Sequence, residues 1–212
     1  MTNETPFVYR FEPAEGAGAP PLLLLHGTGG DESDLLDLGR MLSPDSALLS
    51  PRGRVLENGM PRFFRRLAEG VFDEDDVRRR AVELADFVDA MRRRLGIGAP
   101  VAVGYSNGAN IAAAMMLLRP GTLSGAALLR AMVPLSDPPP ADLDGVPVLI
   151  ASGQIDPIVP SSNSAKLAEM LLGAGADVSY RTLPVGHQLS RADLVLTREW
   201  LEQAKKRALQ SA

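Results

Sequence analysis

Cysteine is absent from this chain of 212 residues, which removes several kinds of chemistry at once. Without it there is no disulfide framework, no thiol nucleophile and no thiolate ligand for zinc. Histidine is scarce as well, because the sequence contains only His26 and His187. Two distant histidines without a His-x-x-x-His spacing do not form a zinc motif, so we expect no metal.

Positive charge is not in excess either, since 22 lysines and arginines are outweighed by 26 acidic residues. Binding to a phosphate backbone requires clustered positive charge, and we therefore expect no nucleic-acid partner. Two runs of three arginines, at residues 78–80 and 92–94, lie at the ends of one predicted helix whose first turn is acidic. The acidic turn and the second arginine run complement the helix dipole, so we interpret both runs as a solvated helix face.

Long apolar runs are also missing, because no stretch approaches the ~20 residues that span a membrane. The first six residues lack the basic segment and apolar core of a signal peptide, which predicts a cytoplasmic protein. The composition, 45% apolar and 23% charged, is typical of a globular protein with a sizeable core. The length fits a single domain over residues 1–212.

Short apolar runs alternate with amphipathic stretches almost throughout the chain, which predicts a mostly parallel α/β sheet with helices on both faces. The first strand, which is followed by Pro13, is placed near a sheet edge. The segment between residues 57 and 72 fits neither pattern and is predicted to be irregular. The predicted strands cover residues 7–11, 21–25, 47–50, 101–103, 125–129, 146–151 and 178–183, and the predicted helices cover residues 35–41, 73–95, 111–118, 165–172 and 193–207.

The most informative stretch is Gly104-Tyr105-Ser106-Asn107-Gly108, which follows a β-branched apolar run and precedes a helix-forming one. This is the strand, sharp turn and helix context of a nucleophile elbow. A serine on such a turn has a strained backbone that presents its Oγ above the sheet edge. Glycines at both ends of the motif let the strand and the helix pass closely. Ser106 is therefore the predicted nucleophile.

A serine hydroxyl is a poor nucleophile unless a base takes its proton and an acid orients that base. His187 follows the elbow and ends a strand, and the chain order Ser, Asp, His that accompanies such an elbow selects it over His26. We interpret His26 as a support for the loop that contains it, or as a loop residue with satisfied hydrogen bonds.

The position of each aspartate relative to a strand decides the predicted acid. Asp156 follows the strand at 146–151 and lies at the carboxyl edge of the sheet, where the active sites of parallel sheets collect. Asp142 and Asp144 precede that strand and fall at the opposite edge. Asp137 also follows a strand and is the alternative acid. If Asp137 is the acid, Asp156 is an ordinary turn residue before Pro157.

A glycine-rich loop follows the second predicted strand, at residues 26–32. It has no lysine and lacks the Gly-x-x-x-x-Gly-Lys spacing of a phosphate-binding loop. Its backbone N–H groups instead suit the stabilisation of a developing oxyanion. We assign one donor to the Thr28 N–H and the other to the Asn107 N–H, directly after the nucleophile.

Aromatic residues make up only 5% of the sequence, and three phenylalanines are concentrated in the segment at 57–72. This segment follows the predicted strand at 47–50 and so begins at the carboxyl edge of the sheet, where Ser106 is also expected. Phe63, Phe64 and Phe72 are therefore candidates for the wall of a substrate pocket, together with Ile158. The alternative is that the phenylalanines cover the core.

Four segments resemble motifs of the phospholipase/carboxylesterase family of α/β-hydrolases, which includes acyl-protein thioesterases and small bacterial carboxylesterases. The segments follow one another in the same order as the motifs of that family. They are residues 26–32 (HGTGGDE), 104–108 (GYSNG), 153–160 (GQIDPIVP) and 186–189 (GHQL), and the matches extend over nearly the whole chain. The Gly-x-x-Asp-x-x-Val-Pro segment is the most specific, because it identifies the acid and the loop after it.

The resemblance implies an α/β-hydrolase fold without a cofactor, and the length of 212 residues predicts no large lid domain. It implies Ser106 as nucleophile, Asp156 as orienting acid and His187 as general base, with backbone donors at Thr28 and Asn107. Residues 57–64 look like the bacterial carboxylesterase branch that includes hydroquinone-induced hydrolases. The asparagine after the elbow serine departs from the thioesterase branch, where glutamine is usual.

We therefore predict a compact serine carboxylesterase that acts on short-chain acyl or small aromatic esters through an acyl-enzyme intermediate. A thioesterase or a lysophospholipase with the same triad is the alternative. The alternative that is not an enzyme is a catalytically silent relative that only binds a ligand, because fold alone does not establish activity. The expected partner is a small-molecule ester, and a homodimer is compatible with short exposed apolar faces.

Overall fold

The computed structural model describes residues 7–16 and 18–210, except for the side chains of 207–210. The strands are β1 (Tyr9–Glu12), β2 (Leu22–Leu25), β3 (Leu48–Pro51), β4 (Val55–Glu57), β5 (Met60–Arg62), β6 (Arg66–Ala68), β7 (Val71–Phe72), β8 (Val101–Tyr105), β9 (Gly125–Leu129), β10 (Pro147–Gly153) and β11 (Asp177–Leu183). The helices are α1 (Leu36–Leu42), α2 (Glu74–Leu95), α3 (Asn107–Leu118), α4 (Ser161–Gly173) and α5 (Arg191–Gln210).

Seven of these strands form one sheet in the order β1-β3-β2-β8-β9-β10-β11. All neighbours pair in parallel except β1, which is antiparallel to β3 at the edge. Every residue of β2 and β9 is buried, as expected for strands that are covered on both faces. The predicted mostly parallel α/β fold is confirmed, and the first strand lies at the edge of the sheet.

Helices cover both faces of the sheet and form two separate apolar cores. On one face, Met91 of α2, Ile111 of α3 and Leu167 of α4 belong to the larger core. On the other face, Leu36 of α1 and Trp200 of α5 belong to the smaller core. Within the described ranges, none of the helices has both the length and the apolar character needed to cross a bilayer.

Helix α2 has the predicted course because its sequence signals both ends. The Asp73 side chain accepts a hydrogen bond from the Asp76 N–H at 3.1 Å and so satisfies a free donor of the first turn. At the other end, Gly96 adopts a left-handed backbone with φ of 65°, which ends the helix. The helix therefore begins at Glu74 and ends at Leu95, and the strand β8 follows it.

The segment at 57–72 is not irregular, and that prediction is wrong. Apart from residues 63–65, it lies within two short antiparallel hairpins, β4-β5 and β6-β7. The turn of the first hairpin is Asn58-Gly59, with φ of 52° and 79°, which is the Asn-Gly pair that favours a two-residue hairpin turn. The strands have only two or three residues each, too few to show the alternation that marks a strand.

Candidate active site

Ser106 lies between β8 and α3 in a strained backbone conformation, with φ of 51° and ψ of −112°. Its N–H donates to Leu129 O on β9 at 2.8 Å, which fixes the turn against the neighbouring strand. A Cβ at Gly104 would lie 2.6 Å from Gly108 O, and a Cβ at Gly108 would lie 1.9 Å from Leu25 O. The two glycines thus let α3 pack directly on β8 and on the end of β2.

The structure brings Ser106, His187 and Asp156 together at the carboxyl edge of the sheet. Ser106 Oγ lies 3.0 Å from His187 Nε2, and His187 Nδ1 lies 2.8 Å from Asp156 Oδ2. An ionised carboxylate only accepts hydrogen bonds, so the proton of the imidazole is on Nδ1 and Nε2 is the acceptor for the serine hydroxyl. This is the arrangement in which a histidine takes a proton from serine. The alternative acid, Asp137, is exposed and does not line the cavity beside Ser106.

The Asp156 carboxylate is fixed from two sides. Burial opposes its ionisation, but the N–H groups of Val159 and Ile158 donate to Oδ1 at 3.0 and 2.8 Å, and His187 donates to Oδ2. These hydrogen bonds outweigh burial and hold the pKa of Asp156 below its ordinary value. The carboxylate is therefore ionised and oriented toward the imidazole at neutral pH.

Replacing Asp156 with asparagine is expected to lower kcat by about 10⁴-fold. The two backbone N–H donors hold the amide oxygen of Asn in the place of Oδ1, so the NH₂ group faces His187 Nδ1. Nδ1 must then accept, the ring proton moves to Nε2, and Nε2 no longer accepts from Ser106. Steady-state kinetics on a p-nitrophenyl ester measures this loss, while circular dichroism checks that the fold is retained. A folded variant with wild-type kcat would contradict the assigned role.

Thr28 and Asn107, the predicted oxyanion donors, both line the cavity beside Ser106. In the part of the chain that the structure describes, neither backbone N–H donates to a protein acceptor. Asn107 is the first residue of α3, where backbone N–H groups have no partner within the helix. Both donors are thus available to a substrate oxygen.

Residues 61–63, at the end of the first hairpin, contact both oxyanion segments. Arg62 Nη1 donates to Thr28 Oγ1 at 2.6 Å. On the other side, the Phe63 N–H donates to Asn107 Oδ1 at 2.7 Å. This short stretch therefore ties the glycine-rich loop to the residue after the predicted nucleophile. Sequence reasoning did not identify this link, because it joins three segments that are far apart in the chain.

His26 supports the glycine-rich loop and does not contact Ser106. Its Nε2 accepts from the Gly53 N–H at 2.9 Å, so the ring proton is on Nδ1, which donates to Gly27 O at 2.6 Å. Burial lowers the pKa of this imidazole, which keeps it neutral. The ring also packs against Phe63, with 4.8 Å between the ring centroids.

The cavity beside Ser106 has a volume of about 240 Å³. Phe72 and Ile158 line it, but Phe63 and Phe64 do not, which corrects the prediction for these two residues. Both are core residues, 3% and 0% exposed. Phe63 faces His26, and Phe64 packs edge-on against Phe72 at 5.0 Å. The wall instead contains two arginines that sequence reasoning missed, Arg62 and Arg66.

The chain is similar over most of its length to known hydrolases. The model of the phospholipase/carboxylesterase family matches residues 11–204. The hydrolase MhqD of Bacillus subtilis (strain 168) is 47% identical over 192 residues, which cover 90% of this chain and 96% of that protein. The crystal structure of the Bacillus cereus carboxylesterase has a TM-score of 0.91 and 44% identity, covering 94% of this chain and 95% of that chain.

A second solved carboxylesterase, from Mesorhizobium loti, has a TM-score of 0.89 and 34% identity and covers 95% of this chain and 97% of its own. The family model covers every segment that carries a predicted site residue, and the similarity to these relatives extends over most of the chain. The chain therefore belongs to the phospholipase/carboxylesterase family and is an ester hydrolase with the α/β-hydrolase fold.

Proposed function

We propose that this protein is a serine carboxylesterase that cleaves short-chain acyl or small aromatic carboxylic esters. The observation that carries the proposal is the hydrogen-bonded series from Ser106 through His187 to Asp156, with distances of 3.0 and 2.8 Å, at a cavity with two free backbone donors. Nucleophile, base and orienting acid are the groups that acyl transfer from an ester requires.

In the proposed reaction, Ser106 Oγ attacks the ester carbonyl carbon while its proton passes to His187 Nε2. Asp156 stabilises the imidazolium, and the carbonyl oxygen becomes an oxyanion that accepts from the Thr28 and Asn107 N–H groups. The imidazolium then donates its proton to the leaving alcohol, which leaves an acyl-serine. A water molecule, deprotonated by the same histidine, releases the carboxylic acid and restores the serine.

The size and polarity of the cavity support the short-chain specificity. Its volume of about 240 Å³ is below the roughly 300–1,000 Å³ of pockets that enclose drug-sized ligands. Arg62, Arg66 and Glu69 add charged groups to its wall. Both arginines have protein hydrogen-bond partners, but a long lipid chain would still have to displace water from these charged groups. An acyl group of a few carbons or a small ring fits this space better.

Hydrolysis of p-nitrophenyl esters from acetate to decanoate tests the proposal. We expect the highest kcat/KM on acetate or butyrate, and a loss of kcat of about 10⁶-fold in Ser106→Ala on all of them. A steep preference for decanoate would contradict the short-chain specificity, and full activity of Ser106→Ala would contradict the nucleophile. A butyryl thioester that reacts much faster than the matched ester would favour the thioesterase alternative.

Labelling with a fluorophosphonate separates the remaining alternatives, because this reagent reacts with an activated serine regardless of substrate specificity. A folded wild type that is labelled at Ser106 but does not cleave the ester series has a narrower specificity than proposed. A folded wild type that is neither labelled nor active would be a silent ligand-binding protein.

A further inference from the structure

The loop that carries His187 is held by side chains that bind three consecutive carbonyl oxygens. Arg130 Nε donates to Gly186 O at 2.8 Å, and Arg130 Nη2 donates to Gln188 O at 3.3 Å. Between these two, the Tyr105 hydroxyl donates to His187 O at 3.3 Å. The two carbonyls that flank the histidine therefore share one guanidinium as their donor.

Arg130 is itself held by an acidic residue on α5. Its Nη1 and Nη2 donate to Asp193 Oδ1 and Oδ2 at 2.7 and 2.9 Å, and the side chains are 0% and 2% exposed. Nη1 also donates to Ala151 O on β10 at 3.2 Å, and Asp193 Oδ2 accepts from the Ser190 N–H and hydroxyl. A planar guanidinium that is bound on several sides has a single orientation.

The backbone of Arg130 connects this network to the predicted nucleophile. The residue directly follows β9, and the preceding carbonyl, Leu129 O, accepts the Ser106 N–H at 2.8 Å. Arg130 has φ of 58°, a left-handed conformation that is unfavourable for a residue with a long side chain. This conformation turns the chain at the end of β9, where the guanidinium reaches the His187 loop.

A role in stability alone does not explain this arrangement. Burying an ion pair costs desolvation free energy, so such a pair is weak evidence for stabilisation. The guanidinium also binds the carbonyl groups of Gly186 and Gln188, the residues on either side of His187, and only two side-chain torsions separate the His187 backbone from the imidazole. A shift of the loop would therefore move His187 Nε2 away from Ser106 Oγ, where the distance is now 3.0 Å.

We propose that Arg130, anchored by Asp193, is a positioning residue that holds the His187 loop in register with Ser106. The inference rests on the proposed function, because it takes His187 as the general base. Arg130 touches neither the predicted nucleophile nor the substrate cavity, so it acts through the loop. Its loss should lower kcat with little change in KM, since the cavity wall stays in place.

Arg130→Lys is the first test, because lysine keeps the positive charge beside Asp193 but lacks the fork that reaches both flanking carbonyls. We expect kcat for p-nitrophenyl butyrate to fall about 10²-fold, as for a catalytic group displaced by about 1 Å. The double variant Arg130→Met with Asp193→Leu removes both charges together, so that neither is left buried alone. We expect it to fold and to show a similar loss of kcat.

Met91→Ala is the matched control, since Met91 is fully buried on α2 near the opposite edge of the sheet. It should lower the Tm and leave kcat unchanged. A readout independent of turnover is the proton NMR signal of His187 Nδ1–H in its hydrogen bond to Asp156, which should shift or broaden in Arg130→Lys and stay unchanged in Met91→Ala.

Wild-type kcat in both the lysine variant and the double variant would overturn the proposal. It would also be overturned if Met91→Ala lost as much kcat as Arg130→Lys at an equal decrease in Tm. Ser106→Ala is measured in the same series to keep the two hypotheses apart. Persistent turnover by Ser106→Ala would contradict the proposed function. Loss of turnover in Ser106→Ala, together with wild-type kcat in Arg130→Lys and in the double variant, would contradict the positioning role alone.

Discussion

Alanine at Ser106, alanine at His187 and both substitutions together are expected to give the same residual kcat, about 10⁶-fold below that of the wild type. The two side chains share one hydrogen bond of 3.0 Å and act on one proton. Without the serine, the base has no nucleophile to activate. Without the base, the serine hydroxyl stays protonated and does not attack. The second substitution therefore has almost nothing left to remove.

The measurement is kcat for p-nitrophenyl butyrate in the wild type, the two single variants and the double variant. Only the three variants, and not the wild type, are first treated with a fluorophosphonate to remove contaminating esterases. Ser46→Ala is the matched control, because Ser46 is a buried serine two residues before β3, at the opposite edge of the sheet. It should keep wild-type kcat. Two modest losses that multiply in the double variant would mean that Ser106 and His187 act independently, and the triad assignment would be wrong.

Gly108→Ala is expected to abolish folding or to lower the free energy of unfolding by more than about 4 kcal/mol. The new Cβ would lie 1.9 Å from Leu25 O, 2.4 Å from Leu25 C and 2.6 Å from His26 O. All three are backbone atoms at the end of β2, which is held between β3 and β8, so they cannot move aside. Helix α3 would have to move away and take Ser106 with it.

Urea unfolding followed by circular dichroism measures this loss, with Gly98→Ala as the control. A Cβ at Gly98 would meet nothing within 4 Å, and its φ is not in the left-handed region. The control should therefore match the wild type or gain up to about 1 kcal/mol, because alanine restricts the unfolded chain. A Gly108→Ala protein as stable as Gly98→Ala would show that α3 packs less closely on β2 than described.

Some features of this protein follow from the sequence alone. The fold class was predictable because each strand and helix is a local pattern, and fully buried runs such as Leu22–Leu25 indicate a parallel sheet that is covered on both faces. That Ser106, Asp156 and His187 lie together was predictable because each is in the segment after a strand, and parallel strands bring such segments to one edge. The Asn58-Gly59 turn was also readable, although the hairpin around it was not predicted.

Other features were decided only by the tertiary structure. Phe63 and Phe64 follow a short hairpin strand, and only the packing of that hairpin against His26 and Phe72 places them in the core. No local pattern indicated the role of Arg130, because its partners lie 56 to 63 positions after it in the chain. These partners are Gly186, Gln188 and Asp193. Local patterns report which face of an element is apolar, whereas a buried hydrogen-bond network depends on how distant elements are placed together.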